Sequence, residues 1–552
     1  MTNEPDTLCL GHPRFADSDL TAIAAREGIP AAWKQAFQIH GAEAPARVTG
    51  DFAVAITLDD GRTFLAIDRF AIKTLCYRID GNELRFAARA DALGATELDP
   101  QAIFDYLYFH VIPSPRTIFK DVFRLPPGHY ALFENGQLTV APYWQPQFEE
   151  GRGESFAALR EEFLDTVREA VASRIGDKSV GCYLSGGTDS STVSGMLTQI
   201  TGRPAETYSI GFDVPGYDEM EYARIAVRHF GTHHHEYYIT PDDLVAGMSK
   251  VAASYDQPFG NSSAVPAYYC ALRAKQDGID LLLAGDGGDE LYGGNARYAK
   301  QRVFGIYGQI PEVLRKAILE PALADSSVFN RVPLLKKGAS YVRQARVPMP
   351  DRMQTYNLLM RMGLDSVFTA DFLGQIDSNE PARHQRETWN ACPASASLVN
   401  KMLAYDWRYT LAENDLPKVV GSARLAGVDV GFPFLDDRVL DFSLKLPTNY
   451  KLKGLKLRWF FKEALRGFLP DEIITKKKHG FGLPFGPWAV NHAPLNKMAT
   501  DSLHGLVDRK IIRREFIDSL LKEHLPAHPG FYGELVWIMT MMEQWLRAQK
   551  SE

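Results

Sequence analysis

Cysteine is scarce in this 552-residue chain, and the few present form no pattern. Cys9, Cys76, Cys182, Cys270 and Cys392 are odd in number, widely scattered and without a CxxC pair. That argues against a disulfide framework and against a cysteine-built zinc site. Positive charge is not in excess either: 61 Lys plus Arg stand against 68 Asp plus Glu, a formal net charge of −7. A general nucleic-acid binder, which needs a basic excess or stripe, is therefore not expected. No run approaches the ~18 apolar residues of a membrane span. The N-terminal MTNEPDTLCLGHPRFADSDL lacks the basic stretch and apolar run of a secretory signal. Internal repeats and low-complexity tracts are missing as well. A reduced, cytoplasmic setting is the expectation. What remains, at 45% apolar and 23% charged residues, is the balance of a globular enzyme with two to four domains.

The chain divides by pattern into two parts. In the first, DFAVAITL, TFLAIDRF, LCYRI and LRFAAR read as strands between residues 51 and 90. Asp-Gly in DDGR (59–62) and DGNE (80–83), and NGQ at 135–137, supply the positive φ that tight hairpins require. An antiparallel, β-rich domain over 1–148 is expected, with FEEGRGES (148–155) as the linker. A second domain over 149–552 opens on an amphipathic helix (155–175) with Leu159, Phe163, Val167 and Val171 at helical spacing. Strand and helix then alternate: VGCYL, STVSGML, ETYSIGF, EMEYARIAVRHF, HHEYYIT, DDLVAGMSKVAASY and GIDLLLA. That order predicts a parallel sheet with ligands at the carboxyl ends of its strands. From about 305 onward the chain is mainly helical, and Leu535, Ile538, Met541 and Trp545 form a packing stripe.

The segment that carries chemistry is Ser185-Gly186-Gly187-Thr188-Asp189-Ser190-Ser191, between a buried strand and a helix. Glycines let backbone amides approach a phosphate, serine hydroxyls add donors, and the helix presents its positive end. An Asp there can hold Mg²⁺, which carries the charge of a leaving pyrophosphate. The loop is not a Walker A sequence, which needs GxxxxGK[ST]. A second loop, Gly285-Asp286-Gly287-Gly288-Asp289-Glu290, follows the apolar strand DLLLA. Asp189 and Asp289 then become a candidate pair of hard oxygen ligands for one Mg²⁺. The histidine run 233–235 lies on a strand, so at most two of its rings share a face.

SGGTDSS is similar to the pyrophosphate loop of the N-type ATP pyrophosphatases. The segments YSIGFDVPGYDEMEYA (208–223), YDQPFGNSSAVP (255–266), AGDGGDELYGG (284–294), GFPFLDDRVLDFSLKLP (431–447) and KKKHGFGLP (476–484) resemble the asparagine synthetase family, as do GDFAVAI, AIDRFAIKTLCY and RLPPGHY in the first part. The resemblance covers almost the whole chain after residue 50. It implies an adenine nucleotide α-hydrolase-like synthetase domain with a helical C-terminal part, preceded by an Ntn-hydrolase-like β-rich domain. It also implies adenylation of a carboxylate by ATP, loss of pyrophosphate and attack by an amine. By resemblance, Ser185, Gly186, Gly187, Asp189 and Ser190 hold pyrophosphate and metal, and Asp289 is the second metal ligand. Ser209, Ile210 and Gly211 lie against adenine, and Ala284 and Gly285 lie near the nucleotide. Lys478 stabilises negative charge. Asp286 matches a position that varies in the family and helps set the acyl-transfer chemistry.

The chain departs from the family in two places. The family's glutaminase uses a Cys directly after the initiator Met, whereas Thr2 stands here, and the glutamine-binding motifs have no counterpart before Gly50. A degenerate, truncated glutaminase-like domain acting as scaffold is the expectation, with Cys9 incidental. Val420 and Gly421 replace an Asp-Arg pair, and Asp429 and Gly431 replace a Glu and an Arg, which weakens the case for aspartate as substrate. Asp406 and Glu413 are the acids nearby, and Glu413 is the candidate base for an incoming amine. Without a glutaminase, a tethered amine is the reading that resembles the β-lactam synthetases and lasso-peptide cyclases. The substrate is then a carboxylate-bearing small molecule or a peptide, with a precursor peptide and its protease as partners. An asparagine synthetase or other amidotransferase fed by ammonia from elsewhere is the alternative, and a non-catalytic relative is a third.

Overall fold

A computed structural model describes residues 7–151, 153–316, 333–476 and 482–549. In the first part, β1 (Thr7–Gly11), β2 (Phe52–Thr57), β3 (Thr63–Ile67), β4 (His129–Glu134) and β5 (Gln137–Pro142) form one antiparallel sheet in that order. Side chains alternate along β2 with the strand period. Phe52, Val54 and Ile56 pack with Trp33 and Phe37 of the helix Ile29–His40, while Ala53 and Ala55 face Leu65, Leu75 and Tyr77. Both faces are thus covered, the second by a small sheet of Cys76–Asp80, Glu83–Ala87 and Phe123–Arg124. The expected hairpin turns close β2 to β3 and β4 to β5. At the second of these, Asn135 and Gly136 both take positive φ, the backbone of a tight two-residue turn.

The second part begins with α1 (Phe156–Ala172), capped by the Ser155 hydroxyl, which accepts from the Ala158 amide. Its stripe of Leu159, Phe163, Val167 and Val171 is buried, as the spacing predicts. Alternation follows through β6 (Val180–Tyr183), α2 (Thr188–Thr201), β7 (Glu206–Phe212), α3 (Met220–Phe230), β8 (His233–Ile239), α4 (Pro241–Ser254), α5 (Ala264–Gln276) and β9 (Leu281–Leu283). The short α6 (Gly288–Tyr292) comes next, and a fifth strand, β10 (Asp429–Gly431), joins from much later in the chain. All pairings are parallel, and the spatial order is β8-β7-β6-β9-β10. The chain leaves β6 toward β7 on one side and later returns with β9 on the other. The crevice beyond the carboxyl ends of β6 and β9 is therefore the switch point, where open α/β sheets bind ligands.

The helical remainder packs back onto this sheet and onto the first part. The helices that frame the site are α7 (Leu416–Ala426) and α8 (Pro529–Ala548). The expected stripe Leu535, Ile538, Met541 and Trp545 is buried along α8. Trp537 Nε1 donates to the Gly260 carbonyl and Trp545 Nε1 to the Tyr255 carbonyl, each at 3.0 Å. From the first part, Tyr106 on the helix Pro100–Phe109 donates its hydroxyl to the Ile538 carbonyl at 2.8 Å. Residues of that helix share one apolar core with α4, α5 and α8. The segment expected as a linker is pinned: Glu150 accepts from Asn400 Nδ2 at 2.6 Å, and Phe148 packs on Trp407. Among the described residues no helix is long and apolar enough to cross a membrane.

Candidate active site

The Ser185–Ser191 loop leaves β6 and turns straight into α2, whose N-cap is Gly187. Gly186 takes φ +67°, and a Cβ there would lie 2.3 Å from the Ala223 amide nitrogen of α3, so only glycine fits. The hydroxyls of Ser185 and Ser190 are 3.0 Å apart, and Ser190 Oγ accepts from the Ser185 amide at 3.1 Å. The loop after β9 comes up against it. A Cβ on Gly285 would lie 2.7 Å from the Ser190 nitrogen, so that glycine is what lets the loops touch. The two loops that the sequence marks do converge.

Their acids meet on one cation. Arg458 donates from Nη1 to Asp189 Oδ2 at 2.8 Å and to Asp289 Oδ1 at 2.5 Å, and from Nη2 to Asp189 Oδ1. Its side chain is only 6% exposed and lies over the Phe461 ring at 4.0 Å. Burial opposes the charge of Arg458, but Asp189 and Asp289 outweigh it and hold its pKa above the ordinary arginine value. Two carboxylates in the first turns of α2 and α6 that require a cation between them fit Mg²⁺, which takes one or two carboxylates together with phosphate and water oxygens. The sequence reading missed Arg458, and no local signal reveals it. It depends on a left-handed backbone at a non-glycine residue, φ 53°, ahead of the helix Trp459–Ala464.

A cavity of about 590 Å³ lies over these loops. Of the residues assigned by resemblance, Ser185, Asp189, Ser190, Ser209, Ile210, Gly285, Asp286 and Asp289 line it. Gly186 and Gly187 shape the loop from behind. Gly211 and Ala284 do not line the cavity: a Cβ on Gly211 would meet the Tyr238 ring at 2.7 Å, and Ala284 is buried, bonding the Gly431 carbonyl. The missing side chain of Gly211 makes room for Tyr238 and for Met220 of α3. Lys478 and Thr2 lie outside the described residues.

Elsewhere in the cavity lining, Lys418 Nζ stands 3.3 Å from Asp286 Oδ1 and 3.1 Å from Asp415 Oδ1. Burial works against the Lys418 charge, and the two acids overcome it, so the ammonium is held protonated. The pKa of Asp286 is nevertheless raised, chiefly by burial and with Asp415 adding repulsion, because one ammonium serves two acids.

Glu413 does not line the cavity. Its carboxylate accepts from the Ser114 amide at 3.1 Å and hydroxyl at 2.6 Å and pairs with Arg408 at 3.0 Å, which ties the first part of the chain to the second. Asp406 is likewise buried, accepting from Tyr298 and pairing with Arg297. These acids belong to or precede a π-helical stretch over Trp407–Asp415, whose Asn414 and Asp415 line the cavity. The acid that the sequence reading missed is Glu534 on α8, which lines the cavity and whose pKa burial raises. Near it stands His110 from the first part, its pKa lowered by burial to about 4, hence neutral at pH 7.

The remaining candidates resolve simply. His233 Nδ1 and His235 Nε2 both approach Glu206, at 3.0 and 2.8 Å, while His234 meets Thr207, as strand alternation requires. No group of three or more metal-binding side chains occurs among the described residues. Cys9 lies in β1, and burial pushes its thiol up to about 11.

The family model for asparagine synthase matches residues 162–547, and the model for a glutamine amidotransferase domain matches residues 33–144. Asparagine synthetase [glutamine-hydrolyzing] 1 of Bacillus subtilis (strain 168) is 25% identical over 91% of this chain and 78% of its own length. Asparagine synthetase [glutamine-hydrolyzing] 3 of the same organism is 22% identical over 84% of this chain and 73% of its length. Amidase chry2 of Gibberella zeae is 23% identical over 84% of this chain and 74% of its length.

Proposed function

The chain belongs to the asparagine synthase family, and we propose that it uses the ATP-dependent carbon–nitrogen ligase chemistry of that family to join a carboxylate and an amine of the same substrate molecule. The observation that carries this reading is the meeting of Asp189 and Asp289 on one guanidinium, beneath a cavity framed by the Ser185–Ser190 loop. A carboxylate oxygen attacks the α-phosphorus of ATP and pyrophosphate leaves. The amine nitrogen then bonds the acyl carbon, AMP leaves with the oxygen, and the nitrogen gives up a proton. Asp189 and Asp289 would hold Mg²⁺, which supplies positive charge beside the leaving pyrophosphate. Ser185, Ser190 and the amino end of α2 offer donors to the same group. Ser209 and Ile210 form the adenine side, and Lys478 is the further cation this reading assigns to the reacting phosphate.

Two points support a tethered amine. Burial pushes the thiols of Cys9 and Cys76, the cysteines of the first part, to about 11 and about 12, so neither is a thiolate nucleophile for glutamine. Free ammonium, with a pKa far above 7, is a poor nucleophile in water, and tethering supplies several kcal/mol of proximity. Macrolactam or β-lactam closure is the chemistry that fits, and where the amine belongs to a peptide, a precursor peptide and its protease are the expected partners.

The test measures pyrophosphate release from ATP and Mg²⁺. Aspartate is supplied with either ammonium or glutamine, and 5-aminopentanoate, whose amine is tethered, is supplied alone. Release with 5-aminopentanoate and none with aspartate supports the reading. Asparagine formed from either nitrogen source overturns it and establishes an asparagine synthetase. With whichever substrate turns over, Asp189→Asn should abolish release.

A further inference from the structure

A second lobe of about 440 Å³ adjoins the cavity over the phosphate loops: His110, Asn414 and Glu534 line both, and no residue of the 185–191 or 285–290 loops lines the second. The wall is largely apolar and aromatic: Phe109 from the first part of the chain, Leu359, Tyr405 and Tyr409, and Ile538 from α8. Arg297 is the one cation among the described residues lining it. It is already engaged, 3.2 Å from Asp406 and donating to Thr410 at 2.9 Å. Glu534, shared by the two cavities, is the one acid among those residues. The shared wall thus presents a carboxyl group together with an imidazole that burial keeps neutral, an arrangement that suits a cationic or amine-bearing group. Beyond it the described lining residues offer mostly apolar surface and no unengaged charge.

We propose that this second lobe is the substrate's body-binding site: the substrate is an amine-bearing carboxylate with an apolar, aromatic-sized body, its amine held at Glu534. The inference rests on the tethered-amine reading and names its substrate class. A lobe of this volume matches pockets that enclose ligands far larger than aspartate. An apolar body gains from burial in such a pocket in proportion to the area it hides from water. It also gives the first part of the chain a role beyond support, since residues 107–110 build one wall.

The test is calorimetric titration of the full-length protein, without ATP, with 4-phenylbutylamine and with n-butylamine. The phenyl compound should bind at least tenfold more tightly. Leu358→Trp, which fills the second lobe, should remove that advantage, and Glu534→Gln should weaken both amines tenfold or more. ATP affinity, measured on each variant, reports that the fold is retained. Equal binding of the two amines, no binding of the phenyl compound, or wild-type binding by both variants overturns the proposal. No turnover is read, so a null result here leaves the pyrophosphate test standing, and failure of that test leaves this binding result standing.

Discussion

Arg458 bonds Asp189 through both terminal nitrogens of its guanidinium and reaches Asp289 through one of them. One side chain thus joins the acids of the two loops, in the place where a bound Mg²⁺ would neutralise the same pair. Removing one partner of a buried ionic cluster leaves the remaining charges uncompensated, a cost of about 3 kcal/mol or more. Arg458→Met should therefore lower the unfolding midpoint in EDTA. Millimolar Mg²⁺ should restore more of it in the variant than it adds to the wild type. A variant whose midpoint ignores Mg²⁺ would sink the assignment of Asp189 and Asp289 as metal ligands.

Gly186 and Gly202 provide a matched pair at the two ends of α2. Both take positive φ, +67° and +65°, but a Cβ at Gly186 meets the backbone of α3 while one at Gly202 meets open space. Gly202→Ala should cost only the backbone term, about 1 kcal/mol. Gly186→Ala must in addition displace the loop, and ATP affinity should fall about tenfold or more, read by equilibrium binding.

Glu413→Gln separates a structural acid from a catalytic one. The change leaves Arg408 buried without its counter-charge, and denaturant unfolding should show a loss of about 3 kcal/mol. Once a substrate is in hand, kcat per folded molecule and its pH profile should stay as in the wild type. A displaced pH profile would restore Glu413 as a candidate base.

Lys451 is fully buried, donates to Asn400 Oδ1 at 3.0 Å, and has its pKa lowered by burial to about 7. In the unfolded chain its pKa is about 10.4. Between those values the unfolded state binds the extra proton, so this residue's contribution to stability rises with pH from about 7 to about 10.4. Below about 7 the full cost of the buried ammonium is present, about 1.4 kcal/mol for each pH unit that separates the two values. Lys451→Met should therefore stabilise the protein at pH 6 and do little at pH 10. An equal effect at both pH values would show that burial does not depress the lysine's pKa, so that it stays charged in the fold as in the unfolded chain.

Much of the site was legible locally. The pattern SGGTDSS between an apolar strand and a helix requires a turn with a free amide cradle, and GDGGDE after DLLLA requires another. Alternation of strands and helices places both at the carboxyl edge of one sheet. The hairpins at 59–62 and 135–137 and the buried stripe of α8 follow from turn chemistry and helical spacing in the same way. Glu413 was named only for its nearness in sequence to the departures at Val420 and Gly421, and no local pattern shows that its carboxylate is taken up by Ser114 and Arg408. Gly211 and Ala284 were placed beside the nucleotide by resemblance; neither lines the cavity, and the missing side chain of Gly211 makes room for the Tyr238 ring.

The sequence alone determined the strand–helix alternation from 155 to 290 and the two glycine-rich loops that carry Asp189 and Asp289, because each depends on residues within one turn or one period of each other. That the two acids meet was decided by the tertiary structure. The strand β10, the clasp of Arg458, the ammonium of Lys418 between Asp286 and Asp415, and the wall of His110, Asn414 and Glu534 shared by the two cavities were decided only by the tertiary structure. Those features join residues tens to hundreds of positions apart, and their burial and partners arise only when separate cores pack together.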